Sequence, residues 1–260
     1  MLRTVLLLLV LALAAGCAVP PKSYWVPETV TVERVDSYGW DGLLRDHVRD
    51  GAVDYPAISR DDRLGEFVDV LRRSRFTKQT TRDERLAFLI NGYNALTISS
   101  VLRGGSPATL GGRYGFFLRT PHGIAGESIS LNDLENKRIR SYHEPRIHFA
   151  LVCASASCPK LRSEAYRPDR LDAQLRIATE DFVNDPTRNR FDAATRTAHV
   201  SKIFDWYEED FTAAHGSLQA YLSRYVADPE VARGLASGGW KLRFLAYDWS
   251  LNGAPPPAAD

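Results

Sequence analysis

The sequence predicts an α+β fold, a single domain in which many helices pack around a small mixed or antiparallel sheet. Amphipathic stretches with helical spacing recur along the chain, strand-like segments are few and short, and the two kinds follow each other without regular βαβ alternation. The 260 residues are 44% hydrophobic and 25% charged, as expected of a globular protein that buries its own core. The net charge of +1 leaves no basic field, so we expect no nucleic-acid partner.

The first element is a predicted signal peptide at residues 1–16. Arg3 supplies a positive charge, residues 5 to 13 are almost all Leu, Val or Ala, and small residues lead into Cys17. This layout is typical of an export signal, and it is shorter than the roughly 20 residues of a spanning helix. We expect it to be removed from the mature protein.

The junction Leu13-Ala14-Ala15-Gly16-Cys17 resembles the lipobox of bacterial lipoproteins, with Ala14 in place of the usual Leu. The resemblance implies cleavage before Cys17 and lipidation of that cysteine, so the membrane is the expected partner. Because Ala18 and not an Asp follows, it also implies the periplasmic face of the outer membrane. The alternative is an ordinary secretory signal that discards Cys17.

The chain after Cys17 divides into three predicted regions. Residues 17–37 begin with a proline-rich stretch and are interpreted as a lipid-anchored spacer. Residues 38–252 show no break in composition and are interpreted as one domain. Residues 253–260, GAPPPAAD, are predicted to be a disordered tail.

Helical spacing of apolar residues predicts amphipathic helices at 40–48 and 61–73. The stretch 82–102 differs, since Phe88, Leu89 and Ile90 occupy successive positions and cover every side of a helix. It is therefore predicted to be the buried central helix.

The second half of the chain mixes short elements of both types. After a glycine-rich loop at 104–115, a hairpin is predicted around Pro121-His122-Gly123, and Ser130 is predicted to cap a helix beginning at 131. The apolar run Arg146 to Val152 predicts a central strand. The remaining predictions are helices at 171–183, 204–213 and 217–225 and strands at 198–203 and 241–247.

Five segments resemble the family catalogued as domain of unknown function 547. They are NGYNALTI at 91–98, SLNDLEN at 130–136, RIHFALVCASASCPKLRSEAY at 146–166, SKIFDWYEEDF at 201–211 and YDWSLN at 247–252. The likeness extends from about residue 38 to residue 252. Because the family is named for having no assigned activity, the resemblance implies little about chemistry.

One hypothesis for the chemistry is a thiol nucleophile. Cys153 or Cys158 would attack, His148 would act as the base, and Glu135 would orient it, as in papain-like and transglutaminase-like enzymes in residue types. The loop containing Ser155 offers backbone N–H groups for an oxyanion and small residues for substrate approach. His122, on the hairpin turn, is the alternative base. Strand alternation places His148 and Cys153 on opposite faces, an objection that Cys158 escapes.

The competing hypothesis is structural. Cys153 and Cys158 are close in sequence and, if exported, would meet an oxidising compartment, where they could form a disulfide. His148 would then be a buried histidine satisfied by a carbonyl or by Glu135. The regular spacing of His143, His148, Cys153 and Cys158 is interpreted as accidental, since odd spacing in a strand alternates faces. We expect no metal and no cofactor.

Asn91 and Asn94 are three residues apart on the predicted central helix and so share one face. A buried amide without partners costs about 1–3 kcal/mol, so each must be hydrogen-bonded. They either tie a loop to the helix or line a polar pocket. A remote third hypothesis assigns carboxylates of Glu208-Glu209-Asp210 to glycan hydrolysis.

Together these observations predict an exported, lipid-anchored envelope protein. Its leading function is that of a cysteine-dependent hydrolase or acyltransferase acting on a peptide or cell-wall-derived substrate. The alternative is a non-catalytic periplasmic binding or scaffold module with a structural Cys153–Cys158 disulfide.

Overall fold

The computed structural model of the protein describes residues 29–35 and 37–256. The predicted signal peptide, the predicted lipidation site Cys17 and most of the predicted spacer lie outside these residues. Within them, no helix is both long enough and apolar enough to cross a membrane.

The fold is α+β, as the sequence predicts, and helices make up most of its regular structure. The α-helices are α1 Tyr38–His47, α2 Tyr55–Ile58, α3 Asp62–Arg73, α4 Arg82–Leu102, α5 Leu110–Arg113, α6 Leu131–Asp133, α7 Leu171–Val183, α8 Ile203–Trp206, α9 Glu208–His215, α10 Leu218–Leu222 and α11 Pro229–Ala236. The predicted helices at 40–48, 61–73, 82–102 and 171–183 are confirmed, with boundaries that agree to within two residues.

Two helical regions are more irregular than predicted. The helix that begins at Leu131 continues as a π-helical turn, Leu134–Ile139, and a 3-10 turn, Arg140–Tyr142. The predicted helix 204–213 is interrupted at Tyr207, which separates α8 from α9. These irregular turns place Glu135 and Tyr207 where they meet, as described below.

The central helix α4 is buried along most of its length. A capping box begins it, in which Thr81 Oγ1 accepts from the Glu84 N–H and the Glu84 carboxylate accepts from the Thr81 N–H. Every residue from Leu86 to Ile98 is buried. At Gly92 a Cβ would lie 2.4 Å from Cδ1 of Ile124, so this glycine lets the neighbouring hairpin approach the helix.

The strands are short, and within the described residues they form four small sheets. They are β1 Val30–Thr31, β2 Val48–Arg49, β3 Ala52–Asp54, β4 Ser74–Arg75, β5 His122–Ile124, β6 Glu127–Ile129, β7 Arg190–Asp192, β8 Thr197–Val200, β9 Lys241–Phe244 and β10 Gly253–Ala254. The sheets are β1-β4, β10-β3-β2, β5-β6 and β7-β8-β9. Parallel and antiparallel pairs occur together, for example in β7-β8-β9, where β8 pairs antiparallel with β7 and parallel with β9.

The predicted hairpin exists, but its turn lies further along the chain. Ala125 and Gly126 form the turn between β5 and β6, both with positive φ, 50° and 86°. His122 is therefore in the first strand, and the residues before it, Tyr114–Arg119, are π-helical.

The predicted strand at Arg146 to Val152 is wrong. Residues Pro145–Phe149 form a 3-10 helix, begun by Pro145 and by the Glu144 side chain, which accepts from the Arg146 N–H at 3.2 Å. Ala150 ends this helix with helical dihedral angles, and residues 151–152 belong to no helix or strand. The Ala150 carbonyl and the Val152 N–H bond to the Asn94 side chain of α4 and not to a strand. The run is apolar because it lies inside the core, and a 3-10 helix can be buried there as well as a strand.

This 3-10 segment joins two hydrophobic clusters formed by the described residues. Ile147 belongs to the cluster built around α4, and Phe149 belongs to the cluster built around α7, α9 and α10. In the second cluster Phe149 contacts the rings of Phe182 and Phe211, with centroids 4.8 and 5.7 Å apart. His148 lies between these two anchors and is fixed by them.

Short segments of the predicted spacer and of the predicted tail pair with strands of the domain. In the predicted spacer, β1 pairs with β4 and Val32 is buried in the first cluster. In the predicted tail, β10 pairs with β3. Both ends are rich in proline, which predicts a spacer and a disordered tail. Each nevertheless contains a two-residue strand, β1 or β10, that pairs with a strand of the domain. Residues 257–260 lie outside the described chain.

Candidate functional site

A cleft of about 490 Å³ opens between the segment 110–118, the helical turns at 131–136 and the loop 247–249. Four residues predicted as catalytic, Glu135, His148, Cys153 and Cys158, all line it. The irregular helical turns place Glu135 and His148 on this cleft. Both residues are far in sequence from the loop 247–249, which also lines it. The cleft is therefore the candidate functional site.

The apolar side chains with the greatest exposure gather at this cleft. Among the described residues, the exposed large hydrophobic side chains are Leu110, Tyr114, Leu118 and Trp206, at 80%, 53%, 48% and 43% exposure, and all four line the cleft. Three of them follow each other at helical spacing on the segment 110–118. Clustered exposed apolar groups of this kind mark a binding surface.

The opposite wall is aromatic. The rings of Trp206, Tyr247 and Trp249 pack together, with centroid separations of 4.6 to 5.6 Å. The guanidinium carbon of Arg113 lies 4.5 Å from the ring centroid of Trp249, a cation–π contact at the rim. All three residues line the cleft, so this wall presents packed aromatic rings to it.

Glu135 provides the carboxylate of the cleft. Its Oε1 accepts from the Tyr207 hydroxyl at 2.6 Å and its Oε2 accepts from the Tyr93 hydroxyl at 3.2 Å. Burial, followed by the Glu135 charge, raises the pKa of Tyr93 and of Tyr207 well above the usual range, so both hydroxyls remain donors. No ion pair of Glu135 occurs in the described part of the chain.

His148 is bound to Asp210, and not to Glu135 as predicted. Its Nε2 lies 2.7 Å from Asp210 Oδ2, and Arg140 holds both oxygens of the same carboxylate at 2.8 Å. Partial burial opposes ionisation of Asp210, but the bonds from His148 and Arg140 outweigh it and hold the pKa of this carboxyl well below its usual range.

The ionised carboxylate can only accept, so Nε2 of His148 carries the proton. The ring stacks against Tyr207 with centroids 3.8 Å apart, and its Nδ1 is buried with no hydrogen-bond partner in the described chain. Glu135 acts on the same region indirectly, because it holds the hydroxyl of the stacked Tyr207. The carboxylate that fixes the tautomer of His148 is therefore that of Asp210, whereas the sequence predicts Glu135.

Cys153 and Cys158 form a disulfide, with Cα atoms 6.2 Å apart. This separation lies within the range that a disulfide spans. Neither sulfur is hydrogen-bonded to His148 in the described contacts, and a bonded pair carries no thiol. In this state the geometry matches the structural alternative more closely than the thiol nucleophile.

Ser155 does not line the cleft as predicted. It is buried behind Cys153, where its Oγ lies 3.0 Å from Cys153 Sγ and donates to the Tyr247 hydroxyl at 3.0 Å. The Tyr247 hydroxyl in turn lies 3.2 Å from Cys153 Sγ. Burial raises the pKa of Tyr247 to about 12, so this hydroxyl keeps its proton.

Asn91 and Asn94 are buried and hydrogen-bonded, as expected, but they bond to backbone and do not line the cleft. Asn91 accepts from the Tyr166 N–H at 2.9 Å and donates to the Tyr166 carbonyl at 2.8 Å. Asn94 donates to the Ala150 carbonyl and accepts from the Val152 N–H, both at 2.9 Å. Asn94 thereby holds the segment that leads to Cys153, and neither amide remains free for a ligand.

His122, the alternative base, lies elsewhere. It is buried in β5 with Nε2 3.5 Å from Ser100 Oγ, and it is not among the residues that line the cleft. Across the described chain, no group of three or more His, Cys, Asp or Glu side chains is placed to hold a metal ion.

Asp210 is the main residue that sequence reasoning missed. From the sequence it is grouped with Glu208 and Glu209 as carboxylates of the third, glycan-hydrolysis hypothesis and not as the partner of His148. Yet Tyr207, Asp210 and Phe211 stand at positions i, i+3 and i+4, which share one side of a helix. Because Phe211 is buried, this spacing was the available signal that Asp210 faces inward.

Comparison with known proteins gives one match. Residues 77–183 match the family model described as protein of unknown function, DUF547. No curated protein and no solved structure matches the chain. The matched segment includes α4, Glu135, His148 and both cysteines, and it ends before Asp210 and the aromatic wall. Over these residues the chain is similar to the DUF547 family.

Proposed function

We propose that this protein is a lipid-anchored envelope protein whose cleft binds a cell-wall-derived peptide carrying a free amino group. The observation that carries the proposal is the convergence of Leu110, Tyr114, Leu118 and Trp206 on one cleft. Exposed apolar area is stabilised when a ligand removes it from water, at about 25 cal/mol per Å². A peptide with apolar side chains would cover these groups.

The amino group is inferred from the charges of the cleft. Two charged residues apart from His148 line the cleft in the described chain, Glu135 and Arg113. The Arg113 guanidinium is engaged by the Trp249 ring and the Pro107 carbonyl, and Glu135 is held only by two tyrosine hydroxyls. A carboxylate surrounded by tyrosine and tryptophan rings favours a cation, since the ring faces add attraction to its own charge. An ammonium group placed at Glu135 would complete an ion pair that the described protein itself lacks.

The location rests on the sequence. Residues 1–16 have the layout of an export signal, and Cys17 stands at the position that bacterial lipoproteins modify. A single lipid-modified end would hold the domain at the periplasmic face of the outer membrane. Cell-wall peptides with free amino groups would be available in that compartment.

The cleft is tested by titrating the mature protein with a defined cell-wall stem peptide and measuring its dissociation constant by calorimetry. Leu110→Ser and Trp206→Ala should each weaken binding about tenfold, because they remove exposed apolar contact without disturbing the core. Glu66→Gln, an exposed change on α3 away from the cleft, should leave binding unchanged. Equal affinity in all four proteins would contradict the proposed site.

A second candidate is favoured by one observation, the His148–Asp210 pair with an unoccupied Nδ1 on the same cleft as the cysteines. After reduction, a cysteine thiol could give its proton to Nδ1 and attack an acyl carbonyl as thiolate. The likeness to papain-like and transglutaminase-like enzymes remains one of residue types.

This second candidate is tested by the acylation of reduced protein with an activated ester. His148→Gln should slow acylation of Cys153 or Cys158 by about 100-fold or more if His148 is the base. A rate in His148→Gln equal to that of the unaltered protein would reject the thiol hydrolase and leave the binding module.

A further inference from the structure

We infer that Cys153–Cys158 is a redox-active disulfide that exchanges with a protein dithiol, with Cys153 as the sulfur that is attacked. This inference goes beyond the proposed binding function and does not depend on the identity of the peptide. It rests on the unequal surroundings of the two sulfurs and on the way the loop between them is held.

The two cysteines differ in burial. Both cysteines line the cleft, but Cys158 is only 3% exposed, whereas Cys153 is partly buried and more accessible. An incoming thiolate must approach a sulfur along the line of the S–S bond, so the more accessible sulfur is attacked. Attack therefore falls on Cys153, and the sulfur of Cys158 is the leaving group.

The sulfur of Cys158, which is the leaving group, already accepts a hydrogen bond. The backbone N–H of Cys153 points at Cys158 Sγ, with 2.8 Å between nitrogen and sulfur. A hydrogen bond to the charged form of a thiol lowers its pKa, and a leaving thiolate of lower pKa departs faster. The same bond would therefore stabilise Cys158 as a thiolate when the disulfide opens.

Cys153 has two hydroxyl neighbours. The Tyr247 hydroxyl lies 3.2 Å and the Ser155 hydroxyl 3.0 Å from its sulfur, and Ser155 donates to Tyr247. With Ser155 donating to Tyr247, the Tyr247 proton is free to point at the sulfur. In the reduced protein this donor would favour the Cys153 thiolate, which is the form that reacts with a disulfide.

The loop is held independently of the disulfide. The Arg188 guanidinium donates to the carbonyls of Ala156 and Cys158 at 3.0 and 2.6 Å. The Ala156 N–H donates to the Ser250 carbonyl at 2.7 Å, and Ser157 N–H donates to the Asp248 carbonyl at 3.1 Å. Opening the S–S bond therefore leaves the loop in place, as reversible exchange requires.

The thiol–disulfide exchange takes place in two steps. A thiolate of the partner dithiol bonds to Cys153 Sγ, the S–S bond breaks, and its electron pair goes to Cys158 Sγ, which takes up a proton from solvent. The partner's second thiol gives its proton to solvent and, as a thiolate, attacks the partner's first sulfur in the mixed disulfide, so that the bond to Cys153 Sγ breaks. Cys153 leaves as thiolate, the partner dithiol is oxidised to a disulfide, and the cysteine pair is reduced by two electrons.

The attacked sulfur is identified by brief treatment of the folded protein with reduced glutathione, acid quenching and peptide mapping. The glutathione adduct should lie on Cys153. An adduct mainly on Cys158, or a disulfide that resists reduction until denaturant is added, would overturn the inference. Circular dichroism of the reduced protein should match that of the oxidised protein, and loss of its folded signal would also overturn it.

Single-cysteine variants provide an independent readout. The Cys153 thiol in Cys158→Ser should react with an aromatic disulfide reagent about tenfold faster than the Cys158 thiol in Cys153→Ser. Adding Tyr247→Phe to Cys158→Ser should raise the pH at which the thiol reacts, whereas Tyr114→Phe, a cleft tyrosine with no described contact to sulfur, should not. Equal rates for the two thiols would contradict the assignment. None of these readouts uses the peptide, so failure here is distinct from failure of the binding proposal.

Discussion

His148 and Asp210 are joined by a 2.7 Å contact between Nε2 and Oδ2, although 62 positions separate them in the chain. The contact fastens α9 to the 3-10 segment Pro145–Phe149. It also fixes the proton of the imidazole on Nε2, because the Asp210 carboxylate is ionised. Every chemical role of the cleft that involves His148 depends on this pair.

Replacement of Asp210 should therefore destabilise the fold. Asp210→Ala leaves the buried His148 N–H and the Arg140 guanidinium without their acceptor, at a cost of about 1–3 kcal/mol in the free energy of unfolding. Urea denaturation measures this loss. Glu209→Ala, an exposed neighbour on α9 with no described side-chain partner, should change the free energy by less than about 0.5 kcal/mol. Equal effects of the two substitutions would argue that the His148–Asp210 contact is unimportant.

Asn94 should control the order of the segment that leads to Cys153. Asn94→Ala removes the acceptor of the Val152 N–H and the donor to the Ala150 carbonyl. Two buried backbone groups then lack partners, and the free energy of unfolding should fall by roughly 2–4 kcal/mol. Hydrogen exchange at the Val152 amide should accelerate more than exchange at amides within α3. Unchanged protection of Val152 would show that another group holds this segment.

His122 should make stability depend on pH below about 6.5. Burial, with help from the Arg103 charge, lowers the pKa of His122 from 6.5 to about 4. Between these values the unfolded chain binds a proton that the folded protein does not, so the free energy of unfolding falls as the pH drops from 6.5 to 4. The loss should reach roughly 3 kcal/mol. His122→Gln should flatten this part of the stability curve, and an unaltered slope would exclude His122 as its cause.

Lipidation is tested at Cys17. Cys17→Ser should release the protein into the soluble periplasmic fraction or leave its precursor unprocessed, because attachment and cleavage both act at that residue. Ala18→Asp keeps the cysteine and should retain a lipid-anchored protein, moved to the inner membrane. Wild-type fractionation and migration of Cys17→Ser would refute the lipoprotein assignment.

The sequence predicts elements whose pattern is local. The helix at 82–102 is correct because its apolar residues surround the axis and Thr81 with Glu84 forms a capping box. The segment at 146–152 is wrong because a continuous apolar run reports burial and not backbone geometry. Its partner is the Asn94 side chain, which supplies the donor and the acceptor that a neighbouring strand would have offered.

Part of the candidate site was predictable because its residues stand in local sequence motifs. His148 and the cysteines are rare residue types, Glu135 stands in a distinctive motif with them, and the fold brings all of them to one cleft. The choice between Glu135 and Asp210 as the partner of His148 depends on how α9 packs against the 3-10 segment. The spacing of Tyr207, Asp210 and Phe211 is only a weak sequence signal of this long-range packing.

The central claim is that Glu135 receives the amino group of a bound peptide. The most direct measurement compares the dissociation constants of one stem peptide with a free and with an acetylated amino group, for the unaltered protein and for Glu135→Gln. We predict that acetylation weakens binding to the unaltered protein about tenfold or more and has little effect on Glu135→Gln, because the charge pair is then already lost. Equal affinity of the unaltered protein for both peptides would contradict the account.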